Sequence, residues 1–209
     1  IEAVILLDRL FHEIVLLDPE RAGKRDRARA GVFGDGVVFD IEKLTYFNSE
    51  YIKAMSPEAF ARAAEPWIRK AVKTESCDPA LIAAILQQRT EKLSDIPEKL
   101  GFFDTLPEYD TALYVHKKSK CDETVALDML KKMRPRLAAI TDWTEEAVHD
   151  CLIGAAAEFG CKNALVMWPV RIAVSGEAVT PGGAVEICHI LGRTETLARI
   201  DKGIEKLEK

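Results

Sequence analysis

The stretch MWPVRIAVSGEAVTPGGAVEICHILGR, residues 167–193, sets the fold class. Its first part spaces apolar residues as a helix does, Thr180, Pro181, Gly182 and Gly183 then turn the chain, and apolar periodicity resumes as far as Leu191, where Gly192 offers a stop. Helix, turn, helix is the reading, with 164–175 and 183–191 as the two helices. Arg171 does not fit its apolar neighbours. Its stem could cover apolar surface with the head in water, or its planar fork could be held out for a ligand.

Working outward, helical spacing dominates and strand alternation is scarce. An amphipathic helix is expected over 1–17, ended by Asp18-Pro19, since proline disfavours the helical conformation in the residue before it. A basic, glycine-punctuated stretch, 22–36, reads as a loop. Residues 37–39 form a brief extended piece and 41–46 a short helix. Ser56-Pro57 and Asp78-Pro79 are helix starts, cap followed by proline, opening 60–73 and 80–92, with Leu81, Ile85 and Leu86 on one face of the latter. Residues 102–113 have no helical stripe and suit a domain junction. Beyond it, helices are expected over 122–133, 144–159 and 193–207 besides the two above, with Thr144 as cap and Gly160 as a stop. No internal repeat points to a solenoid.

The 209 residues, 48% hydrophobic and 30% charged, suffice for one domain or two small ones. No run of eighteen apolar residues exists, and the apolar start 3–7 is broken by Asp8 and Arg9, so neither a membrane span nor a signal peptide is expected and the cytoplasm is the anticipated compartment. Five cysteines without C-x-x-C spacing read as reduced structural thiols. A formal charge of −5 disfavours a protein that grips nucleic acid chiefly by its phosphates. Two local basic stretches nevertheless stand out, 21–29 and 117–136, each readable as a solvated charged face. The four histidines, at 12, 116, 149 and 189, show no ligand or triad spacing, so no catalytic or metal residue is expected.

Particular strings go further than periodicity. Pro169-Val170-Arg171, Ser175-Gly176, Thr180-Pro181-Gly182, Leu191-Gly192-Arg193 and Leu197-Ala198-Arg199-Ile200 together resemble the closing signature of bacterial-type glutamyl-tRNA synthetases. FDIEKLTYFNSEYI (39–52), QRTEKLSDIPE (88–98) and WTEEAVHDCLIGAAAEFGCK (143–162) resemble further segments of that family, in its order. The resemblance covers 37 to the C-terminus. Arg193 stands where the family has lysine, and Thr194 where it has an acid. The family's catalytic H-I-G-H and K-M-S-K-S strings are absent; the nearest, HKKSKCD at His116 and GKRDRARAG at Gly23, lack the right company.

The resemblance implies a mainly all-α chain, two small helical domains of the class I synthetase anticodon-binding helical cage with a short irregular stem-contact segment near the N-terminus. Its divisions would be 1–55, an N-terminal segment and stem-contact remnant, then 56–108 and 109–209. The implied partner is tRNA(Glu), read without a cofactor in this chain, while ATP and Mg2+ would serve only a missing catalytic half. By position in the motifs, Arg171 would read one anticodon cytosine with Thr180 and Pro181 beside it, and Arg89 the other end of the triplet, as in forms that discriminate glutamate from glutamine tRNA. Lys43, Asn48 and Tyr51 would contact the tRNA stem. Tyr46 and Phe47 are expected in the core, as are Trp143 and Trp168. A monomer without membrane attachment is anticipated. The rival expectation is a stand-alone helical module, derived from a synthetase, that docks a protein.

Overall fold

The computed structural model describes residues 31–33, 37–39 and 41–209. The expected helix over 1–17 and the basic stretch 21–29 lie outside the described residues. The described part opens with a two-stranded antiparallel ribbon, β1 (Gly31–Phe33) and β2 (Val37–Phe39), with Val32 opposite Val38. Residues 31–33 were expected in a loop; valine and phenylalanine suit a strand once a partner of the same kind lies opposite.

Helices make up the rest. They are α1 (Ile41–Ala54), α2 (Pro57–Ala71), α3 (Pro79–Leu86), α4 (Gly101–Asp104), α5 (Glu123–Ala138), α6 (Glu145–Glu158), α7 (Asn163–Ser175) and α8 (Ala184–Leu207). Their starts are chemical. Ser56 accepts from Ala59 N, Asp78 from Ala80 N, Asp122 from Val125 N and Thr144 from Ala147 N, each satisfying an amide that a helix leaves unpaired. Gly160 and Gly176 hold left-handed backbone at or just after a helix end.

Several elements differ from the sequence reading: α1 runs to Ala54, past the short helix expected over 41–46, α5 runs to Ala138, past 133, and α4 enters the stretch 102–113 that shows no helical stripe. The helix expected over 80–92 leaves α geometry at Leu86 and tightens into a 3-10 turn at Gln87–Arg89. Side chains explain this: the Thr90 hydroxyl donates to Leu86 O, and the Gln87 amide donates to Ile52 O and Met55 O, pulling the chain toward α1. Its buried residues are Ile82, Ala83 and Leu86, whereas Leu81 and Ile85 are only half-buried. The helices expected to part at Gly192 run on as α8 with a kink there, φ 76 and ψ 167. One turn before the kink, the Cys188 carbonyl accepts from the Thr196 hydroxyl at 3.1 Å and the Trp143 indole at 3.0 Å, which tie the two arms of α8 to each other and to Trp143.

α2 packs mainly on α3, while α5, α6 and α7 pack around α8. Buried apolar side chains on both sides of position 108 belong to one continuous cluster, from Ile52, Phe60 and Ile68 through Phe102 and Phe103 to Leu130, Leu152, Ile172 and Ile200. The short helix α4 is fastened by Arg199, almost wholly buried, which donates to Phe102 O at 2.6 Å, to Val174 O at 2.7 Å and to the Glu195 carboxylate at 2.7 Å. Trp168 adds indole bonds to Leu113 O and Tyr114 O. All five cysteines are free thiols, and burial pushes the Cys188 thiol up to about 12.

Two measurements check this packing. An alanine Cβ at Gly176 (φ +67) would lie 2.9 Å from both Pro107 and Tyr109, whereas one at Gly160 (φ +63) meets open space. Gly160→Ala should therefore lose about 1 kcal/mol from backbone strain alone, and Gly176→Ala about 2–4 kcal/mol from strain plus overlap, read as shifts in urea midpoint; equal losses would refute the close approach at Gly176. Arg199→Met leaves two interior carbonyls without a donor and should cost about 2–4 kcal/mol. A variant as stable as the parent would mean that those carbonyls are not dependent on Arg199.

Candidate functional site

The turn that opened the sequence reading is where two arginines from distant parts of the chain converge. Arg171 leaves α7 and its Nη2 donates to Ala178 O at 2.9 Å; Arg89, at the end of the 3-10 turn after α3, donates from Nη1 to Thr180 O at 3.3 Å. The two acceptors are two residues apart. Burial, and after it the charge of Arg89, pull the Arg171 guanidinium below its usual range, though arginine keeps its charge at any physiological pH. Among the described residues neither guanidinium makes an ion pair with a carboxylate.

The turn is built to hold still. The Thr180 hydroxyl donates to Gly182 O at 2.7 Å, Gly183 N donates to the Glu186 carboxylate at 3.0 Å, and Thr180, Pro181 and Gly182 are buried. At its other end, Ser175 Oγ closes the last turn of α7 on Arg171 O at 2.7 Å. The plane of Arg171 is set by Trp168, three residues earlier on the same helix, whose ring centre lies 4.6 Å from the guanidinium carbon. His116 stacks on that indole, centroids 4.0 Å apart and planes 14° from parallel. The Nε of Arg171 is buried with no acceptor, and Nη2 to Ala178 O is its one side-chain hydrogen bond among the described residues. The Nη1 hydrogens and one on Nη2 remain for a ligand.

Beside Arg89 lies a cavity of about 350 Å³, lined among others by Ile85, Pro181, Gly182, Glu186 and His189. Leu81 and Ile85, read as sharing one helix face, pack partly against the core and also furnish the apolar wall of this cavity. Cationic donors at the edge and carboxylate acceptors beside an apolar floor suit a flat ring with a polar rim. Among the described residues no group of three histidines, cysteines, aspartates or glutamates could hold a metal ion.

The residues expected at the tRNA stem divide. Lys43 is exposed and Tyr51 is 55% exposed, but Asn48 is 0% exposed, its amide donating to Glu91 O at 2.7 Å. Asn48 ties α1 to the segment after the 3-10 turn and does not present its amide on the surface. Tyr46 and Phe47, expected in the core, are 61% and 55% exposed and meet edge to face. Ile52, Asn48 and Ser49 take the inward side of α1 in their place. Trp143 and Trp168 are half-buried, each with its indole N–H donated to a carbonyl. Sequence reading missed the carbonyl of Ala178, the Trp168 ring under Arg171 and the carboxylate of Glu186. Only the three-residue spacing of Trp168 and Arg171 signalled any of these.

Of the basic stretch 117–136, four members are neutralised: Lys131 by Glu208, Lys132 by Asp128, Arg134 by Asp201 and Arg136 by Glu158. Arg193, where the family has lysine, donates to Ala138 O at the end of α5.

The chain is similar to known proteins over most of its length. The chain is 47% identical over 171 residues to a glutamate--tRNA ligase of Clostridium tetani and 41% identical over 172 residues to that of Clostridium acetobutylicum, in each case across 82% of this chain. It spans only 35% and 36% of those relatives' length. A glutamate tRNA ligase structure from Elizabethkingia meningosepticum superposes with a TM-score of 0.65 at 23% identity, over 86% of this chain and 39% of that one, which is a likeness of fold. The glutamate-tRNA synthetase of Elizabethkingia anophelis gives 0.64 at 25% identity, over 81% and 32%. No helix among the described residues is long and apolar enough to cross a membrane. The model of the anticodon binding domain matches residues 43–204, and the chain belongs to that family.

Proposed function

We propose that this chain reads the anticodon of tRNA(Glu) as the C-terminal part of a glutamate–tRNA ligase. The observation that carries the reading is the pair of guanidinium groups anchored on one turn, Arg171 on Ala178 O and Arg89 on Thr180 O, with no carboxylate among the described residues to neutralise either. An unpaired cation held by carbonyls is spent on nothing inside the protein and keeps donors for a ligand. Loop bases are recognised by hydrogen bonds to their exposed edges and by stacking on aromatic or guanidinium planes. Cytosine presents a carbonyl oxygen and a ring nitrogen side by side, and a guanidinium can meet them with two parallel donors.

In this mechanism Trp168 fixes the plane of Arg171, and Ala178 O fixes its rotation about that plane. Arg171 meets one cytosine edge. Arg89, at the mouth of the cavity with Pro181 and Glu186, meets the base at the other end of the triplet, and the carboxylate offers an acceptor for an exocyclic amine. The presence of Arg89 favours the form that discriminates against glutamine tRNA. Tyr51, with Lys43, faces the stem; Asn48 supports them from within. ATP and Mg2+ belong, on this reading, to a catalytic part outside these 209 residues, and no step here runs through them. The protein works as a monomer in the cytoplasm.

Titration with an anticodon stem-loop at moderate salt tests this. Arg171→Ala and Arg89→Ala should each weaken binding by about 1–3 kcal/mol, by analogy with one bidentate base contact, and each should lose discrimination at one anticodon position only. The exposed placement of Arg89 and the half-buried one of Arg171 mean that both variants should keep the parent's helix content. Undiminished binding in both would sink the proposal, and a protein-docking module would show no steep salt dependence.

A further inference from the structure

The loop over 116–121 is the unabsorbed remainder of the basic stretch. His116 and Cys121 close it through paired backbone bonds, His116 N to Cys121 O at 2.8 Å and Cys121 N to His116 O at 3.1 Å. Inside, Lys117–Ser119 make a 3-10 turn and Lys120 takes left-handed backbone, φ 56 and ψ 37, with its N–H on Lys117 O. Ser119 is buried, its hydroxyl 2.7 Å from His116 Nδ1. The loop therefore folds its serine inward and leaves Lys117, Lys118 and Lys120 exposed.

Two facts separate these lysines from an ordinary solvated face. First, they make no ion pair among the described residues, although the chain has 34 acids to 29 lysines and arginines and every basic residue of α5 has found a carboxylate. Asp122, the acid next in sequence, is turned to cap Val125 N. Second, the loop's own His116 is stacked on the Trp168 indole that carries Arg171. The loop that carries the three lysines, through His116, and the guanidinium of Arg171 thus meet the same ring.

We propose that Lys117, Lys118 and Lys120 form a contact surface for the RNA sugar-phosphate backbone beside the base that Arg171 reads, an inference that rests on the anticodon-reading function above. Lysine suits phosphate as a point charge, without the bidentate geometry that a base edge demands. Phosphate contacts set the register of an RNA and base contacts choose its sequence. The indole shared by His116 and Arg171 supplies the mechanical link between the two.

The test is the salt dependence of binding for the whole chain, comparing the parent with Lys117→Gln/Lys118→Gln/Lys120→Gln, on a glutamate-type stem-loop and on one with its anticodon cytosines exchanged. The exposed lysines can be replaced without touching the core, and an unchanged melting curve verifies it. Each lost single-strand phosphate contact lowers the slope of log K against log salt by about 0.7, so the triple variant should lose about 2, equally on both RNAs. An unaltered slope and affinity would overturn the lysine surface while leaving the anticodon reading in place. Loss of affinity on the glutamate-type RNA alone would also overturn it, since phosphates carry no sequence. Failure of the parent to bind either RNA would instead remove the anticodon reading on which it rests.

Discussion

A charged group taken out of water holds this molecule in shape. The Arg199 side chain is buried at the meeting of α4, α7 and α8, and its cost of desolvation is offset by two main-chain oxygens and one carboxylate. The guanidinium fork reaches several acceptors at once, which an ammonium on a flexible stem does not. Because Val174 lies three residues beyond Arg171, the guanidinium that fastens α4 through Phe102 O also holds, through Val174 O, the end of the helix from which Arg171 projects. Sequence positions more than ninety residues apart are thereby held in register.

Three arginines show how surroundings divide one side chain into different tasks. Arg199 is enclosed and its donors are satisfied inside. Arg171 is partly enclosed, stacked on Trp168, and keeps donors outside. Arg89 stands exposed at a cavity mouth with a single long bond to Thr180 O. Mutual repulsion of the last two is tolerated because each sits on carbonyl dipoles and one on an aromatic face. A carboxylate between them would relieve that repulsion and occupy the donors that a base requires.

Local chemistry made much of the fold legible. Ser56, Asp78 and Thr144 cap the helices that follow them, Gly160 is left-handed, and Gly192 breaks the C-terminal helix, each a consequence of a residue's own hydrogen-bonding or conformational range. Arg89, Arg171, Thr180 and Pro181 were readable as a group through motif resemblance, and the chain brings them to one turn. What could not be read depended on distant partners. The end of α3 at Leu86 follows from Gln87 reaching α1; the burial of Asn48 follows from a carbonyl forty-three residues away; the stacking of His116 on Trp168 joins residues with no local relation. Tyr46 and Phe47 carry the composition of a core, and only the packing of Ile52 on the opposite side of α1 leaves them outward.

Both candidate base-reading arginines are seated on main-chain oxygens, those of Ala178 and Thr180, not on side chains. The outward side chains of that turn take no part in the seating, and Val179, 84% exposed, is the clearest case. The spacing has no such latitude: adding or deleting one residue between Ala178 and Thr180 would dislocate one seat from the other, so the length of that step carries the geometry of both arginines.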